Sequence, residues 1–166
     1  MLIDLFKPTV IIELSSLRSV NQIGKIMKDM NIARGYAYSI LHNTTVLKFG
    51  ESSHQNGMWG ERLRRQVSNI PGWKTVPRSP SGKDILNVIF DYEKVFKATV
   101  SKENVSVHIY DAAPLEPYYP NEPSRVAESQ LLTQYESIHG CLPIGNIKDT
   151  RKGGHSTTFT DLFDPD

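Results

Sequence analysis

Gly35-Tyr36-Ala37-Tyr38-Ser39-Ile40-Leu41-His42-Asn43-Thr44-Thr45-Val46-Leu47-Lys48-Phe49-Gly50-Glu51-Ser52 is the stretch that decides the fold. Tyr36, Tyr38 and Ile40 alternate with small or polar residues, which is the period of two of a strand. His42 to Thr45 reads as a turn and Val46 to Gly50 as a second short strand. The segment therefore predicts a β-hairpin, although it lacks the Asn-Gly pair of the tightest loops. On the N-terminal side, apolar residues at Leu17, Val20, Ile23, Ile26, Met27 and Met30 keep helical spacing behind Ser15-Ser16, a serine being available as cap. This stripe is read as core packing. On the C-terminal side, Ser52 to Gly60 reads as loop and Trp59 to Val67 as a helix carrying three arginines. Pro71, Pro77 and Pro80 then mark a connection.

Further along, Ile85, Val88, Ile89, Tyr92 and Phe96 repeat the helical spacing, and Val105, Val107 and Ile109 alternate as in a strand over 104–110. Pro114, Pro117, Pro120 and Pro123 predict a loop. A last helix is expected from a Ser124 cap to about Ile138, with Gly140 just past its end. Two early strands and one late strand predict an α+β fold, a small three-stranded antiparallel sheet flanked by helices, with an N-terminal helix. The expected division is a helical extension over 1–34, a domain over 35–146 and a polar tail over 147–166.

At 166 residues the chain can bury a real core. A composition 39% hydrophobic and 22% charged excludes disordered and fibrous classes. The lone Cys141 excludes an internal disulfide. Val10-Ile11-Ile12 is too short for a signal segment or a membrane span, so a soluble, intracellular protein is expected. The net charge of +1 selects no partner, but its distribution is uneven. Between Met58 and Lys83, Arg62, Arg64, Arg65, Lys74, Arg78 and Lys83 face a single acid, Glu61, whereas from Asp84 to Gly145 acids outnumber bases nine to four. The basic stretch suits a polyanion or, equally, a solvated helix face.

Gly35 to Ile40 followed by Lys48-Phe49-Gly50-Glu51-Ser52 resembles the two strands that name the GIY-YIG nuclease superfamily. Lys48 follows Tyr38 by ten residues, which suits the pattern. Gly60-Glu61-Arg62-Leu63-Arg64-Arg65-Gln66 is similar to the helix carrying that family's arginine. Ala127-Glu128-Ser129 and Pro143-Ile144-Gly145-Asn146 are similar to its glutamate helix and closing asparagine. The resemblance covers roughly residues 35–146. The chain departs from the pattern by lacking Gly-Ile before Tyr38, by Lys48 in place of the second tyrosine, by Gln66 where many members have histidine, and by a long stretch between arginine and glutamate.

The resemblance implies a metal-dependent endonuclease acting on double-stranded DNA, restriction-like or phage-encoded, in the cytoplasm of a bacterial or phage-infected cell, and a homodimer if its site is palindromic. Hydrolysis of a phosphodiester needs an activated water, a counter-charge and help for the leaving group. Tyr38 would be the general base. A phenol of pKa about 10 needs nearby cations for that, and Lys48 would supply one and touch the phosphate. Arg62 would hold phosphate oxygens through its planar fork, with Arg65 as fallback. Glu128 would bind Mg²⁺ or Mn²⁺, and Asn146 would steady the site. His54 is an alternative catalytic residue, and Arg64, Lys74, Arg78 and Lys83 are candidate DNA contacts. Taken singly, the same residues read as a core tyrosine, a solvated lysine, a glutamate favoured by a helix dipole and a turn asparagine. An inactive DNA-binding module on the same scaffold, and an unrelated α+β interaction domain, are the competing readings.

Overall fold

The computed structural model describes residues 2–32, 35–53, 59–74 and 84–146. His54, Arg78, Lys83 and the 147–166 tail lie outside them. The hairpin forms where expected, as β2 (Tyr36–His42) and β3 (Thr45–Ser52), paired antiparallel with Tyr38 opposite Gly50. Asn43 takes up a left-handed conformation (φ 53°) in the two-residue turn, a conformation asparagine tolerates. The late strand is β4 (Val105–Asp111), antiparallel to β2 with Ser39 opposite His108.

The sheet has four strands, where three were expected. Val10–Glu13 forms β1, antiparallel to β4, and the order across the sheet is β1-β4-β2-β3. A four-residue run without clear alternation carries no strand signal of its own; pairing with β4 makes it one. Residues 1–34 are also not only a helical extension, since Ile12, Leu14 and Leu17 share one core with Tyr38, Ile40, Val107 and Ile109. The first helix is shorter than the apolar stripe. A 3-10 turn at Leu14–Ser16 precedes α1 (Asn21–Asp29), and Ser16 Oγ donates to the Glu13 carbonyl instead of capping α1.

The remaining helices are α2 (Glu61–Val67), α3 (Asp84–Phe96) and α4 (Pro123–His139). Ser124 does not cap α4. The cap is Glu122, and the buried Ser124 hydroxyl donates to Glu51 Oε2 at 2.7 Å. Gly140 ends the helix as expected. β2 lies between β3 and β4, and helices packed on both sides of the sheet bury both its faces. Tyr36, Tyr38 and Ile40 pack with Ile23, Met27, Leu63 and Ile89, from α1, α2 and α3. Ala37 packs on the other side with Phe49, Tyr110 and the α4 residues Ala127, Leu131 and Tyr135. The alternation of large and small side chains along β2 thus reflects two packed layers, the small ones facing α4. Among the described residues, no helix is long and apolar enough to cross a membrane.

Candidate active site

β3 is an outer strand, and beside it opens a cleft of about 570 Å³ lined by Tyr38, Lys48, Gly50, Arg62, Glu128 and Asn146, with Asp84, Asn87 and Asp91 from α3. The five principal candidates come from β2, β3, α2, α4 and the segment after α4, and all reach this one cleft. The fallback arginine does not. Arg65 forms an ion pair with Glu61 on the exposed side of α2, and only Arg62 enters the cleft. Three positions on, Arg65 is turned by about 60° around the helix axis and pairs with Glu61 instead. Arg64, expected to be a DNA contact or simply exposed, donates from Nη1 to Asn21 Oδ1 of α1 at 3.1 Å, with its Nε buried. Lys74 is exposed and outside the cleft lining.

Two glycines shape the site. Gly50 sits across the ladder from Tyr38, and a Cβ there would overlap the Tyr38 ring and hydroxyl. The glycine lets the phenol lie flat over β3 and reach the cleft. Gly145 N donates to the Leu47 carbonyl at 2.8 Å, and a Cβ on Gly145 would stand 2.6 Å from that oxygen. Next to it the buried Asn146 side chain bonds the strand twice, accepting from Phe49 N at 2.9 Å and donating to Phe49 O at 3.1 Å. Asn146 thereby satisfies backbone groups on an outer strand. Its part in the site is to hold β3, and with it Lys48 and Gly50, in place.

Burial pushes the Tyr38 phenol well above its ordinary range, Tyr36, Glu128 and Glu51 add to the rise, and Arg62 opposes it. The cation acting on Tyr38 is thus Arg62 rather than Lys48, and Tyr38 holds its proton. Burial lowers Lys48, Asp84 and Glu128 pull it back up, and Arg62 adds to the lowering. A partly buried lysine so displaced gives up its proton more readily than an exposed one.

Sequence reasoning missed Glu51, Ser124 and the α3 face. Glu51 Oε1 lies 3.9 Å from Arg62 Nη1 while its other oxygen accepts a hydrogen bond from the Ser124 hydroxyl, so it links β3, α2 and α4 behind the arginine. It directly follows the Gly50 of the second motif, which was the available signal. Asp84, Asn87 and Asp91 are spaced three and four apart on the exposed side of α3. In sequence that stripe is indistinguishable from any solvated helix face. Among the described residues, no three His, Cys, Asp or Glu side chains come together as a metal cage.

Comparison with protein-family models, with curated proteins and with solved structures found no match to this chain.

Proposed function

We propose that this chain is a metal-dependent endonuclease of double-stranded DNA, built on the plan of the GIY-YIG nucleases it resembles in sequence. The observation that carries the reading is convergence. Residues separated by up to 90 positions, picked out by motif order alone, line one cleft with a phenol, an amine, a guanidinium and a carboxylate. A packed core would place a tyrosine or a glutamate anywhere; it has no reason to bring these four to the same open space.

Each group then has a task. The Arg62 side chain, 61% exposed and backed by Glu51, is free to take non-bridging phosphate oxygens in its fork. Tyr38, protonated, orients the attacking water. Lys48, lowered by burial, accepts the water's proton or contacts the phosphate. This revises the expectation that Tyr38 itself is the base. Glu128, partly exposed in the cleft, is the residue to hold Mg²⁺ or Mn²⁺. A single carboxylate beside a wide polar cleft suits a cation that keeps most of its waters. Such a cation supplies Lewis-acid stabilisation of the developing charge. With Asp84, Asp91 and Glu128 facing Lys48 and Arg62, the cleft alone is not a favourable phosphate site, which is why a divalent cation belongs to the proposal. Restriction-like or phage-type cleavage, a cytoplasmic setting and dimerisation on a palindromic site follow from the same reading.

The test is cleavage of plasmid DNA with Mg²⁺, beside Glu128→Ala, Arg62→Ala and an EDTA control. Discrete fragments from the wild type, abolished by EDTA and reduced at least about 100-fold by either substitution, are expected. A wild type that never cuts DNA, with Glu128→Ala binding DNA as well as the wild type does, would replace the nuclease by a binding module.

A further inference from the structure

The residues around the cleft come from both faces of the sheet. Tyr38 and Gly50 are opposed across the β2/β3 ladder, as are Ile40 and Lys48, so these residues share the face covered by α1, α2 and α3. Phe49 and Glu51, opposed to Ser39 and Ala37, belong to the other face, where α4 packs. Arg62 on α2 thus stands on one face, and Ser124 and Glu128 on α4 stand on the other. Glu51 meets residues of both. Its Oε2 accepts from the Ser124 hydroxyl at 2.7 Å, and its Oε1 lies 3.9 Å from Arg62 Nη1. Among the described residues no strand lies beyond β3, so the arginine can reach round the strand edge to that carboxylate.

Three observations give this link a role beyond stability. First, the carboxylate is anchored and the arginine is not. Ser124 is fully buried and the Glu51 side chain is 18% exposed, against 61% for Arg62. An ion pair with so exposed a partner contributes little to folding. Second, the pair is loose. At 3.9 Å the carboxylate attracts the guanidinium without occupying its N–H donors, whereas Arg65 on the same helix is hydrogen-bonded directly to Glu61, away from the cleft. A long side chain is thereby directed while its fork stays available to phosphate. Third, Ser124 and Glu128 are one turn apart on α4. The carboxylate that directs the arginine is fastened to the helix that carries the cleft's glutamate.

The geometry points to Glu51 as a positioning residue: clamped by Ser124, it draws Arg62 round the edge of β3 and fixes the guanidinium relative to Glu128. Glu51 itself is outside the cleft lining and touches no substrate. The catalytic consequence rests on the nuclease reading above; the positioning does not. Its test compares Glu51→Gln, Ser124→Ala and the double variant by two readouts. Glu51→Gln keeps the shape of the side chain and removes its charge, whereas Ser124→Ala keeps the charge and removes its anchor. In NMR relaxation of the full chain, the Arg62 Nε–H should lose order in each variant, with Arg65 unchanged as reference. In plasmid cleavage with Mg²⁺, kcat per folded molecule should fall about 10- to 100-fold in Glu51→Gln. KM should not rise, since the negative charge beside the phosphate-binding arginine is gone. The double variant should be no worse than Glu51→Gln, because the anchor acts only through the charge it holds. Unchanged Arg62 order in both single variants would overturn the proposal. So would additive losses in the double variant, or a wild-type kcat per folded molecule in Glu51→Gln. A wild type that does not cut DNA would remove the nuclease reading instead, and the order of Arg62 would then decide the positioning role by itself.

Discussion

Lys48 shows how a single position can be read two ways. In sequence it is a long charged residue on a strand that alternates, and solvent is its ordinary place. In the fold it is half-buried against the cleft, and burial displaces it toward the neutral form. The linkage has a definite sign. A lysine lowered in the folded state gives up its proton more readily there than in the unfolded chain. It therefore costs stability below its folded pKa, and that cost is relieved as pH rises toward the unfolded value of about 10.4. Lys48→Met keeps the stem and removes the charge, so it should raise the urea midpoint at pH 7, with the gain shrinking as the pH approaches 10. A Met variant less stable than wild type at pH 7 would mean that Asp84 and Glu128 outweigh burial. If Lys48 is also the proton acceptor, the same variant loses cleavage while gaining stability, a combination a merely structural lysine does not produce.

At the scale of elements, the β2–β3 hairpin is the part of the chain most fully encoded by local chemistry. The period-two pattern and the glycine opposite Tyr38 specify one register, which an irregularity between Ile40 and Leu41 shifts by one residue before the turn at Asn43. A slip of one residue would exchange the two faces of β2 and lose that register at once. Gly50→Ala places a methyl group into the Tyr38 ring. It should destabilise the fold by about 1–3 kcal/mol, the usual range for overpacking. It should also move Tyr38 away from Arg62, measurable as a loss of activity larger than the loss of folded protein. A fully active variant with unchanged denaturation would show that the ring has room the geometry denies. The helices are less legible. α3 is predicted from its apolar stripe, whereas its contribution to the cleft lies on the opposite, polar side, where sequence carries no distinguishing signal.

For the molecule as a whole, the N-terminal segment is built into the sheet and cannot be regarded as an attachment. β1 closes one side of the sheet against β4, Leu14 is fully buried, and Ile3 and Leu5 are pinned to α4 by Gln130 and Gln134. Leu14→Ala should cost about 2–5 kcal/mol, as removal of a large buried side chain does. Because one core spans residues from Ile12 to Ile144, the loss should appear as a shift of a single cooperative transition. Two separate transitions, with the 35–146 region unaffected, would restore the picture of an independent extension.

Sequence alone determined the strands and helices whose patterns repeat over several residues, the positions of the hairpin turn and the end of α4. It also picked out five of the residues that line the cleft, because motif order and spacing survive without knowledge of the fold. What only the tertiary structure decided was everything that depends on a partner distant in the chain. Val10–Glu13 becomes a strand because β4 is beside it. Ser124 serves Glu51 instead of its own helix. Arg62 rather than Arg65 faces the cleft, and Arg64 turns back to Asn21. Tyr38 keeps its proton, and Lys48 is drawn toward losing its own, because burial and neighbouring charge set proton affinity, and both are properties of packing.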